Sequence, residues 1–350
     1  MRLTLGKPRR RPQRERRLSC AVWEFTLECN LRCTHCGSSA GVPRKDELTT
    51  NESFSVCEQL ADLGCTDVSL MGGESFLRSD CFTIARSVKD LGMNVCFVSN
   101  GTMMDRYIDK VRRIEPKVVG ISLDGVKESH EQVRGRNTWE KTVSAIELLR
   151  KNNIQTTVIT TVSKLNFKDL PKLKEIIIGK GVNWQIQIAM PFGNFQRELT
   201  LSREEFYATA LFIAKERIRN KFEDLPVVGA HCYGYYSKLL PGCHWDGCTA
   251  GISSIGITSD GNIVGCLSMG NDRFLEGNIR QRRLRDIWES ADSFPYNRKT
   301  DEMIPGPNCT GCKNELECGG GCCSVSYSMT GIFHNDPYCF CAIEKEMLDV

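Results

Sequence analysis

Residues 21–37 read AVWEFTLECNLRCTHCG. The first seven are β-branched and aromatic with partial alternation, which predicts a strand. The rest place Cys29, Cys33 and Cys36 at a C-x3-C-x2-C spacing, so the cysteine loop hangs from the C-terminal end of a first strand. No fourth cysteine follows nearby. A structural zinc or an electron-transfer [4Fe–4S] cluster wants four protein ligands. Three thiolates around four irons leave one iron open, and an open metal position is where chemistry takes place.

Outward from this stretch, strand and helix signals alternate to about residue 220. Thr49 and Glu52 form a capping box opening a helix, and Phe54, Cys57, Leu60 and Ala61 follow at helical spacing. Strands are predicted over 67–71, 94–99, 118–122, 155–162 and 183–190. Helices are predicted over 81–91, 102–114, 138–152 and 167–178, with Gly92, Pro116 and Gly179 as stops. Ser202 and Glu205 form a second capping box. Six βα units imply a parallel sheet with helices outside. They are too few to close an eight-stranded barrel. The predicted fold class is therefore α/β, a partial (β/α)6 TIM-like barrel with its site at the C-terminal strand ends. Past residue 220, glycine, cysteine and turn residues dominate, and helical periodicity stays weak until 281–291. The expected division is a basic N-terminal tail at 1–20, the barrel at 21–222 and a small cysteine-rich C-terminal domain at 230–345.

Composition narrows the function classes. The chain has 350 residues and a net charge of only +3, so no global field points to nucleic acid. Its 19 cysteines are the outlier. The N-terminus lacks an apolar signal-peptide core, and no stretch approaches the ~18–20 apolar residues of a membrane span. Metal ligation in a reducing cytoplasm is the expectation, rather than disulfides. Seven of the eleven residues 7–17 are Lys or Arg. Such a run is ordinarily a solvated tail, with contact to an acidic partner as the sharper alternative.

The ends of successive strands carry polar groups. The second ends in Met71-Gly72-Gly73-Glu74, where glycines admit a close ligand and a carboxylate can hold an ammonium. The third ends in Ser99-Asn100-Gly101, short groups suited to ribose hydroxyls. The fourth ends in Ser122-Leu123-Asp124-Gly125, and His130-x3-Arg134 follows. An arginine grips a carboxylate in bidentate fashion. With the Cys-Asn-Leu-Arg-Cys wording of the loop, these motifs resemble the radical SAM superfamily, enzymes that split S-adenosylmethionine (SAM) at an open cluster iron. The resemblance implies that Cys29, Cys33 and Cys36 hold the SAM cluster and that Glu74 takes the methionine ammonium, with Gly72 and Gly73 lining it. Ser122 and Arg134 would take the methionine carboxylate. Ser99 and Asn100 would lie near the ribose, with Asp124 beside them. Ser75 stands where the family usually has proline. His35 stands where an aromatic often precedes the last cysteine, and it reads as a packing or supporting group rather than a ligand.

The C-terminal string is C248-x12-G261-x4-C266, then C309-x2-C312-x5-C318-x3-C322, and later Cys339. A zinc ribbon would use four of these cysteines. The whole string looks like the SPASM extension of radical SAM enzymes. That resemblance implies one auxiliary cluster on Cys248, Cys266 and Cys322, with Cys243 as fourth ligand. It implies a second on Cys309, Cys312, Cys318 and Cys339. Cys341 competes with Cys339, and Cys323 beside a ligand is a candidate hydrogen donor. Cys20, Cys57, Cys65, Cys81, Cys96 and Cys232 read as small buried hydrophobes. The implied cofactors are three [4Fe–4S] clusters and SAM.

The implied activity is reductive cleavage of SAM, after which a 5′-deoxyadenosyl radical takes hydrogen from a substrate carbon. SPASM relatives mostly act on peptides, which makes thioether or carbon–carbon crosslinking of a ribosomal peptide the first hypothesis. Too few residues precede the first strand for a leader-binding domain, so a separate leader-recognition protein is expected. A small-molecule enzyme is the second hypothesis: a sugar dehydrogenase or epimerase, or a porphyrin side-chain decarboxylase. Sulfatase maturation is disfavoured, because Leu267 follows Cys266 where an aspartate is expected. An iron–sulfur scaffold or redox sensor is the non-enzyme alternative, and the intact SAM motifs argue against it. A flavodoxin or ferredoxin is the expected electron donor. Trp184, Gln187, Met190, Tyr233, Tyr235 and Tyr236 are candidates for the cavity wall, with core packing as their ordinary role.

Overall fold

The computed structural model describes residues 14–219, 225–230, 233, 247–270, 272–299, 304–312, 314 and 318–348. Strand β1 (Cys20–Thr26) takes the predicted place ahead of the cysteine loop. It is followed by α1 (Thr50–Asp62), β2 (Asp67–Gly72), α2 (Cys81–Asp90), β3 (Asn94–Ser99), α3 (Met104–Ile114) and β4 (Val118–Ser122). Then come α4 (Lys127–Arg134), α5 (Trp139–Lys151), β5 (Thr156–Val162), α6 (Leu170–Ile177), β6 (Asn183–Ile188), α7 (Arg203–Arg219) and β7 (Val227–Gly229). Both capping boxes form. Glu52 Oε2 accepts from Thr49 N at 2.8 Å while Thr49 Oγ1 accepts from Glu52 N at 3.3 Å. Ser202 and Glu205 repeat the exchange at 2.8 and 3.2 Å. Helix α4 is an addition to the predicted elements: KESHEQVR shows too few apolar positions for a readable stripe.

The C-terminal part contributes β8 (Ser254–Ile257), β9 (Asn262–Val264), β10 (Gly277–Asn278), α8 (Leu284–Glu289), α9 (Pro295–Arg298), α10 (Cys323–Thr330) and α11 (Phe340–Leu348). The sheet order is β10-β9-β8-β1-β2-β3-β4-β5-β6-β7. The six expected strands thus become eight parallel ones, because β7 extends the far edge and β8 pairs with β1. The break expected near 221–230 is not a break in the sheet: Cys20 to Trp23 pair with Ser254 to Ile257. Part of the expected tail is also packed. Arg17 N and Ser19 N donate to the carbonyls of Ile252 and Ser253, and Arg14 reaches the carbonyl of Cys248 at 2.5 Å.

Residues paired across neighbouring strands share a face, and the registers sort them cleanly. Trp23, Phe25, Leu70, Phe97, Ile121, Val158 and Trp184 face the helices and are buried. On the other face Ser69, Cys96, Thr157, Thr161, Gln185 and Gln187 are half-buried. Parallel sheets ordinarily bury both faces and read as continuous apolar runs. Here burial alternates instead, so the concave face is only half-buried. Trp184 lies on the helix side, where its Nε1 donates to Thr160 Oγ1 at 2.8 Å. It is therefore core and no part of the cavity wall. Tyr233 is also buried, stacked on Phe206 with centroids 4.9 Å apart, while Tyr235 and Tyr236 fall outside the described residues.

The cysteine loop abuts the end of β2 so closely that a Cβ at Gly73 would stand 2.1 Å from the Glu28 carbonyl oxygen. At Gly37 the nearest atom is Phe192 Cβ at 3.9 Å. Gly73→Ala is expected to lower the thermal midpoint more than Gly37→Ala, by the ~1–3 kcal/mol that overpacking costs. Equal losses would mean that the loop and β2 are not in contact.

Candidate active site

Hydrogen bonds from three directions hold the cysteine loop at the top of β1. Glu47 accepts from Thr26 Oγ1 and Leu27 N, at 2.9 and 2.8 Å to its two oxygens. Gly41 N donates to Leu27 O at 2.7 Å, and Thr34 N donates to Val133 O in α4 at 2.9 Å. The Cys36 carbonyl accepts from Asn194 N at 3.0 Å. Leu31 N and Ala40 N point at the sulfurs of Cys29 and Cys36, at 3.4 and 3.3 Å. The three thiols lie close enough to influence one another's ionisation. Burial pushes the Cys33 thiol up to about 11, against the pull of Arg134.

Glu74 sits fully buried beside them. Its Oε2 accepts from Asn100 N at 2.9 Å and Ser99 Oγ at 3.1 Å. Its Oε1 is buried with no partner among the described residues. Burial lifts the carboxyl to about 7, against these hydrogen bonds. Ser99 and Asn100, expected near the ribose, donate to Glu74. Asn100 also donates to Asn30 Oδ1 at 2.9 Å, inside the cysteine loop. Gly72 and Gly73, expected to line the ligand, are required by packing: at Gly72 a Cβ would meet Thr26 O at 2.3 Å, and φ is +137°.

Asp124 is the second buried carboxylate. Its Oδ2 accepts from Arg134 Nε at 2.5 Å and from His35 Nε2 at 2.9 Å, and its Oδ1 accepts from Thr161 N at 2.9 Å. Burial works against its ionisation, yet Arg134 and His35 hold the carboxyl well below the usual range. Both oxygens of Asp124 accept hydrogen bonds, and Arg134 is held by one of them. Arg134 Nη1 comes within 4.0 Å of Cys33 Sγ. His130 Nδ1 accepts from Asp124 N at 3.2 Å, and burial lowers the imidazole to about 4, so it is neutral. Ser122 is buried at the end of β4, paired in register with Ile159. Below Asp124 on the concave face, Gln187 Nε2 donates to Thr161 Oγ1 at 3.0 Å and Gln185 Nε2 to Gln187 Oε1 at 3.3 Å. The alternation of NWQIQI is a sequence signal for this wall, whereas in TTVITTV only the burial alternates.

Two further cysteine groups form in the C-terminal part. Cys309, Cys312, Cys318 and Cys339 line one pocket, together with Asp336, Asn314 and Cys341. Cys341, weighed as the competitor of Cys339, is thus present beside it. A hydrogen bond to Cys341, and then burial, raise the Cys339 thiol. The other group joins Cys248, Cys266 and Cys322, which influence one another's ionisation. Cys323 belongs to it as well. Its hydrogen bond lowers Cys248 to about 6, and its thiol is buried. Cys243 and Cys232 lie outside the described residues. Cys57, Cys65 and Cys81 are buried as expected, while Cys20 and Cys96 are half-buried.

The Radical SAM superfamily model matches residues 23–177 and the SPASM iron-sulfur cluster-binding domain matches residues 248–313. The AdoMet-dependent heme synthase of Methanosarcina barkeri is 29% identical over 341 residues, covering 91% of this chain and 95% of its own. The mycofactocin maturase MftC of Mycolicibacterium smegmatis is 27% identical over 346 residues, covering 93% and 85%. Native anSMEcpe with bound AdoMet has the same fold, with a TM-score of 0.74 at 19% identity over 95% of this chain and 96% of that one. No helix among the described residues is long and apolar enough to cross a membrane. The cysteine triad and strand-end polar groups fall within the first match, and Cys248, Cys266, Cys309 and Cys312 within the second: the chain is a radical SAM enzyme with a C-terminal SPASM domain.

Proposed function

We propose that this chain cleaves S-adenosylmethionine at a cluster on Cys29, Cys33 and Cys36 and abstracts a hydrogen atom from a peptide lying on the concave face of the sheet. The unpartnered Oε1 of Glu74 carries the first half. A buried carboxylate oxygen without a donor costs free energy, and the SAM ammonium is a donor of matching charge. Arg134, held by Asp124, stands nearby for the SAM carboxylate. Three thiols, an orphaned anion and a clamped cation fit a cluster with a zwitterion on its open iron. When bound, these groups supply a 5′-deoxyadenosyl radical. The chain's own part is placement. Asn100 and Ser99 fix Glu74, and His35 and Asp124 fix Arg134. Burial excludes water from both anchors.

The substrate half rests on the concave wall. None of the eight parallel strands contains a lysine or arginine, and the face offers neutral amides and hydroxyls from Gln185, Gln187, Thr157, Thr161 and Ser69, interspersed with Val22, Val98 and Ile159. Such groups suit a peptide backbone better than an anion with several carboxylates. Tetrapyrrole side-chain chemistry is the second reading, favoured by the near full-length likeness to the Methanosarcina heme synthase. Two auxiliary clusters, on Cys248, Cys266, Cys322 and Cys243 and on Cys309, Cys312, Cys318 and Cys339, would take up or relay the electron that substrate oxidation leaves behind. Ligation needs thiolates, so loading these sites releases protons.

Anaerobic reconstitution followed by SAM and dithionite tests the reading. About twelve irons per chain and 5′-deoxyadenosine are expected; the absence of 5′-deoxyadenosine from Cys33→Ala places the cleavage at the triad, and its persistence would refute that placement. A leader-bearing precursor peptide should be consumed with the 5′-deoxyadenosine formed, whereas consumption of an iron porphyrin instead would select the second reading. Glu74→Gln should weaken SAM binding by at least about tenfold, the cost of losing one buried charged partner, with iron content unchanged. Because the Glu74 carboxyl is raised to about 7, its anion grows as pH rises, so SAM binding should be about tenfold tighter at pH 8 than at pH 6. A flat profile would remove Glu74 from the ammonium site.

A further inference from the structure

Tyr296 lies in α9, next to Asn297, whose Nδ2 donates to the carbonyl oxygens of Cys248 and Ala250 at 2.8 and 2.7 Å. Its ring is held on two sides, stacked on Phe333 with centroids 5.0 Å apart and edge-on to Phe274 at 6.0 Å. Its backbone carbonyl accepts from His334 Nε2 at 2.9 Å. The ring is therefore fixed, and its hydroxyl points inward. There the oxygen is shielded from solvent and has no hydrogen-bond partner among the described residues. It presses on Gly265, the residue before Cys266, so closely that a Cβ there would stand 1.9 Å from it. Cys248, Cys323 and Cys266 are all near enough to act on it electrostatically.

Buried polar groups find partners, and one that lacks them points to an unseen acceptor. The hydroxyl lies against Gly265, beside Cys266, with Cys248 and Cys323 also near it. A sulfide of a cluster held by Cys248 and Cys266 would supply the missing acceptor. We infer that Tyr296 donates its O–H to a sulfur of the auxiliary cluster held by Cys248, Cys266 and Cys322, and thereby raises that cluster's reduction potential. Hydrogen bonds to cluster sulfur favour the reduced, more negative state. A phenol is protonated at neutral pH and so is a donor. Tyr296 is not needed to build the site, because Asn297 holds the Cys248 loop independently. The inference rests on reading this cysteine group as a cluster site.

The test uses the full-length reconstituted chain with Cys33→Ala, which removes the SAM-cluster signal. The EPR signal lost on Cys266→Ala identifies the auxiliary cluster, and four irons should go with it. Tyr296→Phe keeps the ring and its stack. It should retain all the iron, lower the midpoint potential of that signal, and lose a deuteron coupling seen by ENDOR after exchange into D2O. An unchanged potential and coupling would overturn the inference. So would loss of the cluster from Tyr296→Phe, since the hydroxyl would then build the site rather than tune it. An unchanged iron count in Cys266→Ala would instead overturn the cluster reading itself.

Discussion

The buried carboxylate of Asp124 is the junction on which the site depends. It accepts from His35 in the cysteine loop, from Arg134 at the end of α4 and from Thr161 in β5. Its backbone carbonyl accepts from Asn166 Nδ2 at 2.7 Å. One side chain thus ties the cysteines, the cation and the concave wall to a common origin. A buried ion pair contributes little net stability, because desolvating both charges offsets their attraction. What it does supply is a single geometry, since any displaced partner would leave an uncompensated charge.

Glu74 answers to a different constraint. It reaches the cysteine loop only because β2 ends in two glycines that allow Gly73 N and Glu74 N to donate to Thr26 O and Glu28 O, at 2.8 and 2.7 Å. Close backbone contact by itself requires the Gly-Gly pair. Its consequence is chemical all the same, for it sets a carboxylate against the triad with one oxygen free of partners.

The C-terminal part shares the sheet of the barrel through β8. The register from Cys20 to Trp23 locks the Cys248 loop against the first strand, and Arg14, Asn297 and Arg298 hold carbonyls of residues 248–251. Continuous sheet is stiff, so the first strand is a common reference for the cysteine triad at its C-terminal end and for the Cys248 loop beside its N-terminal end.

Local pattern sufficed for most of this. The capping boxes at Thr49 and Ser202, the βα alternation and the spacing of the cysteines are short-range features, so they are legible in the chain alone. So was the joining of Glu74, Arg134 and the triad at one end of the strands, because a parallel sheet brings successive strand ends together. Helix α4 was not legible, as its polar sequence is held by the His130 and Arg134 contacts to Asp124. Nor were the helix-side burial of Trp184, the engagement of Ser99 with Glu74, or the meeting of Tyr296 with Cys248 and Cys266. Each depends on which residues, distant in sequence, come to share a face or a cavity, and only tertiary packing decides that.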